Sequence, residues 1–157
     1  MKKLFCIGLT VMILLTAGCA LAEQTVILPE SSFRLTLPDG MEYDGPGVDN
    51  AKFAYVSAQL GLEIHFFLYD RNGASLEKMV GPMTEAGADE AELWTVNGIS
   101  MIVFRVEDPD DPPQQGMKCI GYLLADGDRI QQIDFWYATQ DAAKLTEEII
   151  ASITDKD

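Results

Sequence analysis

The sequence predicts a single α+β domain, one antiparallel β-sheet with helices packed on it as an α/β/α sandwich, preceded by an export segment. Three observations carry this. Strand-like runs with period-two alternation recur along the chain, and two of the connections between them are Asn-Gly or Asp-Gly-Asp turns suited to hairpins. Two separate stretches place apolar residues at helical spacing. Hairpin turns dominate the connections between strands, which excludes an all-parallel βαβ arrangement.

The chain opens Met1-Lys2-Lys3 and runs uncharged from Leu4 to Ala22, ending Ala20-Leu21-Ala22 before Glu23. Two basic residues, an apolar stretch and a small-x-small site form a signal peptide with cleavage after Ala22. That divides the chain into 1–22 and a domain over 23–157. Two other outcomes are open. Leu15-Thr16-Ala17-Gly18-Cys19 is similar to a bacterial lipobox, in which Cys19 would be lipidated and become the first residue, although Thr16 stands where the pattern prefers Leu. The 19-residue run is also close to the length of a membrane span, which would leave an uncleaved anchor, although Gly8, Thr10, Thr16 and Gly18 weaken it as one.

Thr25–Leu28 and Phe33–Leu37 are expected as a first hairpin around Pro29-Glu30-Ser31-Ser32, with Phe33, Leu35 and Leu37 on one side. Met41 to Asn50 is rich in Gly, Pro and Asp and reads as an irregular loop. Lys52–Val56 and Leu62–Tyr69 are the next strands. In the second, Leu62, Ile64, Phe66 and Leu68 face one way and Glu63, His65, Phe67 and Tyr69 the other, so both faces carry apolar groups and the sheet should be covered on both. Ser75 can cap a helix carrying Leu76, Met79, Val80 and Met83, with Gly81-Pro82 expected to kink or restart it and Gly87 to stop it.

Ala91–Val96 and Ile99–Val106 flank Asn97-Gly98, whose type I′ turn needs positive φ at both central residues. Glu107 to Pro113 is too charged and proline-rich for a strand. Met117 to Tyr137 is the second hairpin. Whether Asp126-Gly127 or Gly127-Asp128 forms its tip, Ile120, Tyr122, Leu124, Ile133 and Phe135 share one face. After Thr139, a plausible N-cap, Ala142, Leu145, Ile149 and Ile153 make one apolar stripe that must lie on a sheet face.

The order of these elements, with FRLTLPDGMEY near the start and WTVNGISMIVF in the middle, resembles the PsbP-like superfamily. That group includes the extrinsic photosystem II protein, the Ran-binding Mog proteins and a branch of exported bacterial proteins. The opening motif usually continues into Trp, and Met41 stands there in this chain. The resemblance implies a central antiparallel sheet with helices on both faces. It also implies action by binding other proteins, with no catalytic residues.

Composition narrows the function classes. The chain carries a formal charge of −14, and Lys2 and Lys3 lie in the export segment while no acidic residue does, so the rest is more acidic still. Such a surface repels nucleic acid and anionic membranes, leaving a membrane role only through Cys19 lipid or the N-terminal segment. Cys6 and Cys19 fall before Glu23, so Cys119 stands alone and the domain must be held by its core, which 48% apolar composition can supply.

His65 is the only histidine, which removes His-rich metal sites. A Cys119–His65 nucleophile pair is weighed against the commoner case of a strand cysteine acting as a small core hydrophobe. Acidic groups cluster at Asp39, Asp44 and Asp49, at Glu107, Asp108, Asp110 and Asp111, and at Asp126 with Asp128. Their spacing is not that of an EF-hand, and solvated loops account for them more simply than a calcium site. Asp134 shares a strand face with Gln132 and Trp136, with Leu123 nearby. It is expected at an exposed edge or paired with Arg129, Arg105 or Lys118, and this half-wet face could line a groove. Trp94, Phe67 and Tyr69 mark either a partner surface or the underside of a helix.

No catalytic residue, cofactor or metal ligand is assigned. The expectation is a non-enzymatic exported module that binds a protein or envelope component. The alternatives are a ligand- or divalent-cation-binding protein with a pocket beneath Met41 to Asn50 or Glu107 to Gly116, and a lipid-anchored structural lipoprotein domain.

Overall fold

The computed structural model of the protein describes residues 23–46, 50–107 and 116–155. The export segment with Cys6, Cys19 and Ala22 lies outside the described residues, as do Asp49, Asp108, Asp110 and Asp111. In chain order the elements are β1 (Gln24–Ile27), β2 (Arg34–Leu37), β3 (Glu42–Tyr43), β4 (Phe53–Ser57), β5 (Leu62–Asp70), α1 (Leu76–Glu85), β6 (Glu90–Val96), β7 (Ile99–Val106), β8 (Lys118–Asp126), β9 (Arg129–Tyr137) and α2 (Gln140–Ala151). Seven strands form one sheet in the order β3-β4-β5-β9-β8-β7-β6, every neighbouring pair antiparallel.

The expected single sheet needs correction, because β1 and β2 form a separate two-stranded ribbon. The reason lies on its inner side. Val26, Leu35 and Leu37, with Leu28 just beyond β1, are buried in the same apolar cluster as Ile64, Phe66, Ile133 and Phe135. Strands that turn their side chains down onto a sheet form a layer over it and cannot also lengthen its edge. The ribbon is tied instead to the end of α2. Arg34 and Thr154 exchange backbone bonds of 3.0 and 2.9 Å, and Thr36 N–H donates to Ser152 Oγ at 2.8 Å. Ribbon and helix together make one covering layer.

On that side the expected packing holds. Ile120, Tyr122, Leu124, Ile133 and Phe135 are all buried in one cluster with Ile149 and Ile153 of the helical stripe, Leu145 packs at its margin, and Ala142 is buried as well. Thr139 caps α2, its Oγ1 accepting from Ala142 N–H at 3.1 Å. The opposite face is covered by α1, where Leu76, Met79, Val80 and Met83 pack on Ile102, Leu123 and Ile130. Helix α1 runs unbroken through Gly81-Pro82, so the restart does not occur. Pro82 takes one partner from the Lys78 carbonyl, and on this exposed surface water can replace it. Ser75 holds the extended N-cap conformation, yet its hydroxyl makes no capping bond.

The turns follow the sequence closely. Asn97 and Gly98 have φ of 52° and 80°, as a type I′ turn requires. Asp126 pairs with Arg129, so Gly127-Asp128 forms the second tip. Asn97 does more than turn the chain, since its Nδ2 donates to Ala151 O at 2.9 Å and Ile153 O at 2.8 Å at the end of α2. Strand β3 lies inside the expected irregular loop; two residues are too few to show an alternation.

Gly121 is the tightest point of the sheet. A Cβ there would fall inside the Phe104 ring and 2.7 Å from Asp134 Oδ1. Gly121→Ala should therefore destabilise the fold by about 2 kcal/mol or more. Gly81→Ala, in a helix and with nothing within 4 Å of the added methyl, should stabilise it by about 0.5–1 kcal/mol. Urea unfolding of both variants checks the pair.

Candidate functional site

The face of the sheet turned away from α2 carries a row of polar and reactive side chains at its centre. Strand alternation sets Glu63 and His65 of β5, Gln132, Asp134 and Trp136 of β9, and Cys119 of β8 on this side. Register aligns His65 with Asp134 and Gly121, and Glu63 with Trp136 and Cys119. His65 is 3% exposed and Asp134 8%. His65 Nε2 lies 2.7 Å from Glu63 Oε1, a geometry in which the ring N–H donates to the carboxylate. Gln132 Nε2 donates to Asp134 Oδ2 at 2.7 Å, while Asp134 Oδ1 and Trp136 Nε1 are buried without a hydrogen-bond partner.

This corrects both expectations for Asp134. It lies neither at an edge nor beside a cation, because β9 is the middle strand and the three basic candidates are engaged elsewhere. Arg129 meets Asp70 at 3.1 Å and Glu30 at 3.7 Å, Arg105 meets Glu90 at 2.9 Å, and Lys118 meets Glu107. Asp134 itself is buried, but Gln132 and Trp136 on either side of it and Glu63 across from Trp136 are half-buried, so the face is half-wet as expected, around a dry centre. The Phe104 ring over Gly121 closes one side of Asp134, a packing that alternation alone does not reveal. Burial pushes the Asp134 carboxyl up to about 7, against the opposing effect of the Gln132 hydrogen bond. The site can therefore hold a proton near neutrality, and it lines neither of the grooves described below.

The structure does not bring Cys119 and His65 together as a pair. Strand β9 lies between β8 and β5, a separation of two strand spacings or about 10 Å. Burial, and after it the charge of Asp134, raises the Cys119 thiol far above its ordinary value. A thiol held in that form is a poor nucleophile.

No protein-family model and no curated protein matches the chain. Among solved structures it is similar to the solution structure of cyanobacterial PsbP (CyanoP) from Synechocystis sp. PCC 6803. The TM-score is 0.61 at 9% identity, over 89% of this chain and 95% of that one. The fold is PsbP-like. A crystal structure from Bacteroides thetaiotaomicron VPI-5482 gives a TM-score of 0.58 at 14% identity, over 85% of this chain and 48% of that one, so this chain spans about half of that protein. Likeness at such identities speaks to architecture and carries no residue roles.

On this PsbP-like frame Phe67 and Tyr69 continue the same face beyond His65, the Phe67 and His65 ring centroids 6.3 Å apart, while the remaining candidates lie elsewhere. Phe67 is buried and stacks on Tyr69, their ring centroids 6.1 Å apart at 8°, while Tyr69 itself is half exposed. Trp94 is half-buried and its indole N–H donates to Glu92 at 3.1 Å. Among the acidic groups, Asp39 accepts from Gly40 N–H and Asp126 from Gln131 Nε2. Among the described residues no three His, Cys, Asp or Glu side chains converge on a point that would hold a metal ion, and no helix is long and apolar enough to cross a membrane. A groove of about 290 Å³ does lie where a pocket is expected, lined by Glu107, Gly116, Lys118, Tyr137 and the start of α2. Its two charged groups pair with each other. A wider groove of about 720 Å³ runs between the β4–β5 turn and α2.

Two measurements check this site. Asp134 titrates at 3.8 when exposed and about 7 when folded, so its contribution to stability is greatest below the unfolded value and is lost as pH rises through the folded one. Asp134→Asn should therefore raise stability at pH 8, by up to about 4 kcal/mol, and flatten its decline between pH 4 and 7. Denaturant unfolding across that range measures both. Cys119 should react with iodoacetamide slowly in the folded protein at neutral pH and readily once denaturant is added; rapid labelling of the native state would show an accessible thiol.

Proposed function

We propose that this protein is an extracytoplasmic binding module that docks another protein or an envelope component and carries no reaction centre. One observation supports the reading: the strongest candidates for acid–base or nucleophilic chemistry that the sequence offers, His65, Asp134 and Cys119, are buried in the sheet. Chemistry needs such groups in reach of a substrate. What faces solvent is an acidic surface and an unpaired sheet edge. The resemblance to a superfamily that acts by binding supports the same view.

Export rests on the pattern of residues 2–22. Cleavage after Ala22 leaves Glu23 immediately before β1, so the processed chain begins where ordered pairing begins. Lipid on Cys19 would place the domain on a tether of Ala20 to Glu23 and make it a lipoprotein.

Affinity capture with residues 23–157 from the envelope of the source cell should retain a specific partner, and the intact mass of the exported chain should start at Glu23. Turnover of a substrate with no retained partner would overturn the binding reading. An acylated Cys19 would move the protein to the lipoprotein class.

A further inference from the structure

The seven-stranded sheet ends in two unlike edges. At one end β3 is only two residues long, and beyond it Asp44 N–H donates to Ala54 O and Ala54 N–H to Gly45 O, each at 3.0 Å, so the outer side of β4 is occupied. At the other end β6 shows all seven residues of Glu90–Val96 and, among the described residues, no neighbour beyond them. Its hairpin with β7 closes through Asn97-Gly98, and a two-residue loop of this kind sits on a pair that exchanges both backbone bonds, here Val96 and Ile99. Alternation from that pair turns the N–H and C=O of Ala91, Leu93 and Thr95 away from β7. Six strong hydrogen-bonding groups therefore stand in a row along an open margin, the template used in strand addition.

The side chains beside the row decide what can pair with it. Leu93 stands on the α1 side and is 46% exposed. Glu90, Glu92 and Trp94 stand on the α2 side. Glu90 is neutralised by Arg105 at 2.9 Å. Glu92 accepts only from Trp94 Nε1, and among the described residues no cation pairs with it. Asp89, next along the chain, accepts from Glu107 N–H at 2.7 Å. A second copy of this chain is a poor occupant, because antiparallel pairing of two β6 margins gathers both Glu90–Glu92 pairs on one face of an already acidic protein.

We propose that β6 is a strand-addition edge for an extended segment of a partner protein, one with Lys or Arg facing Glu92 and an apolar residue covering Leu93. The backbone row supplies pairing, Glu92 supplies the choice of charge, and the exposed leucine supplies area removed from water. The inference rests on the binding-module reading and names its surface.

The test uses residues 23–157 and two short fluorescent peptides, one alternating lysine with valine and the other glutamate with valine. The lysine peptide should bind in fluorescence anisotropy and the glutamate peptide should not. Leu93→Pro removes an outward N–H and no bond to β7, so it should keep the fold and weaken binding by about tenfold or more. Glu92→Lys should weaken the lysine peptide and admit the glutamate peptide, and it alone decides if the proline variant does not fold. Failure of the lysine peptide to bind, or equal binding by a folded Leu93→Pro, would overturn the proposal. So would a dimer that Leu93→Pro dissociates, which would identify a second copy as the occupant. If wild type and Leu93→Pro retain the same envelope partner equally, the edge is overturned while the binding-module reading stands.

Discussion

Strand β9 sits between β5 and β8 near the middle of the sheet, and its side chains leave water in both directions: Ile133 and Phe135 beneath α2 and the ribbon, Ile130 and Asp134 on the side of α1. A central strand of this kind needs two covering layers, and the chain supplies them from opposite ends. Its first hairpin and last helix join through Arg34, Thr36, Ser152 and Thr154 to cover one face, while α1, from the middle of the chain, covers the other. Closing the first layer therefore requires residues more than a hundred positions apart to meet. Long-range closure of this type is what makes such a sheet depend on its whole length.

Residues whose information is local were the legible ones. Asn97-Gly98 and Asp126-Gly127-Asp128 specify hairpins through the dihedral angles they tolerate, and α2 is specified by its stripe and by Thr139. The strand order β5-β9 is not local. His65 and Asp134 lie in stretches separated by a helix and three strands, and nothing in either stretch says that they pair. That is why the sequence alone points Asp134 to an exposed edge or to Arg129, Arg105 or Lys118, and does not show its burial beside Phe104. The ribbon was hidden for a related reason: Phe33, Leu35 and Leu37 alternate like any half-buried strand, and alternation does not say whether a strand extends a sheet or lies across it.

The placement of charge fits a protein that works through its surface. Five of the described ion pairs, made by Arg105, Lys118, Arg129 and Lys144, are at least partly exposed and contribute little to stability individually. Asp134, the buried carboxylate among the described residues, has its carboxyl pushed up to about 7 by burial, so it is only partly ionised at neutral pH and costs stability as it ionises. Stability in this fold comes from the two apolar layers, and the excess acidic charge lies outside them.

Asn97 is the strongest local signal in the sequence, and its side chain also reaches the carbonyls of Ala151 and Ile153 at the end of α2. Glycine at this position would serve the turn equally well but has no side chain, and aspartate accepts where donation is needed. A short-range cue for reversing the chain is thus also a long-range fastener between a hairpin and the final helix. Substitutions judged only by turn chemistry would pass as conservative while removing two of the bonds that hold the end of the C-terminal helix.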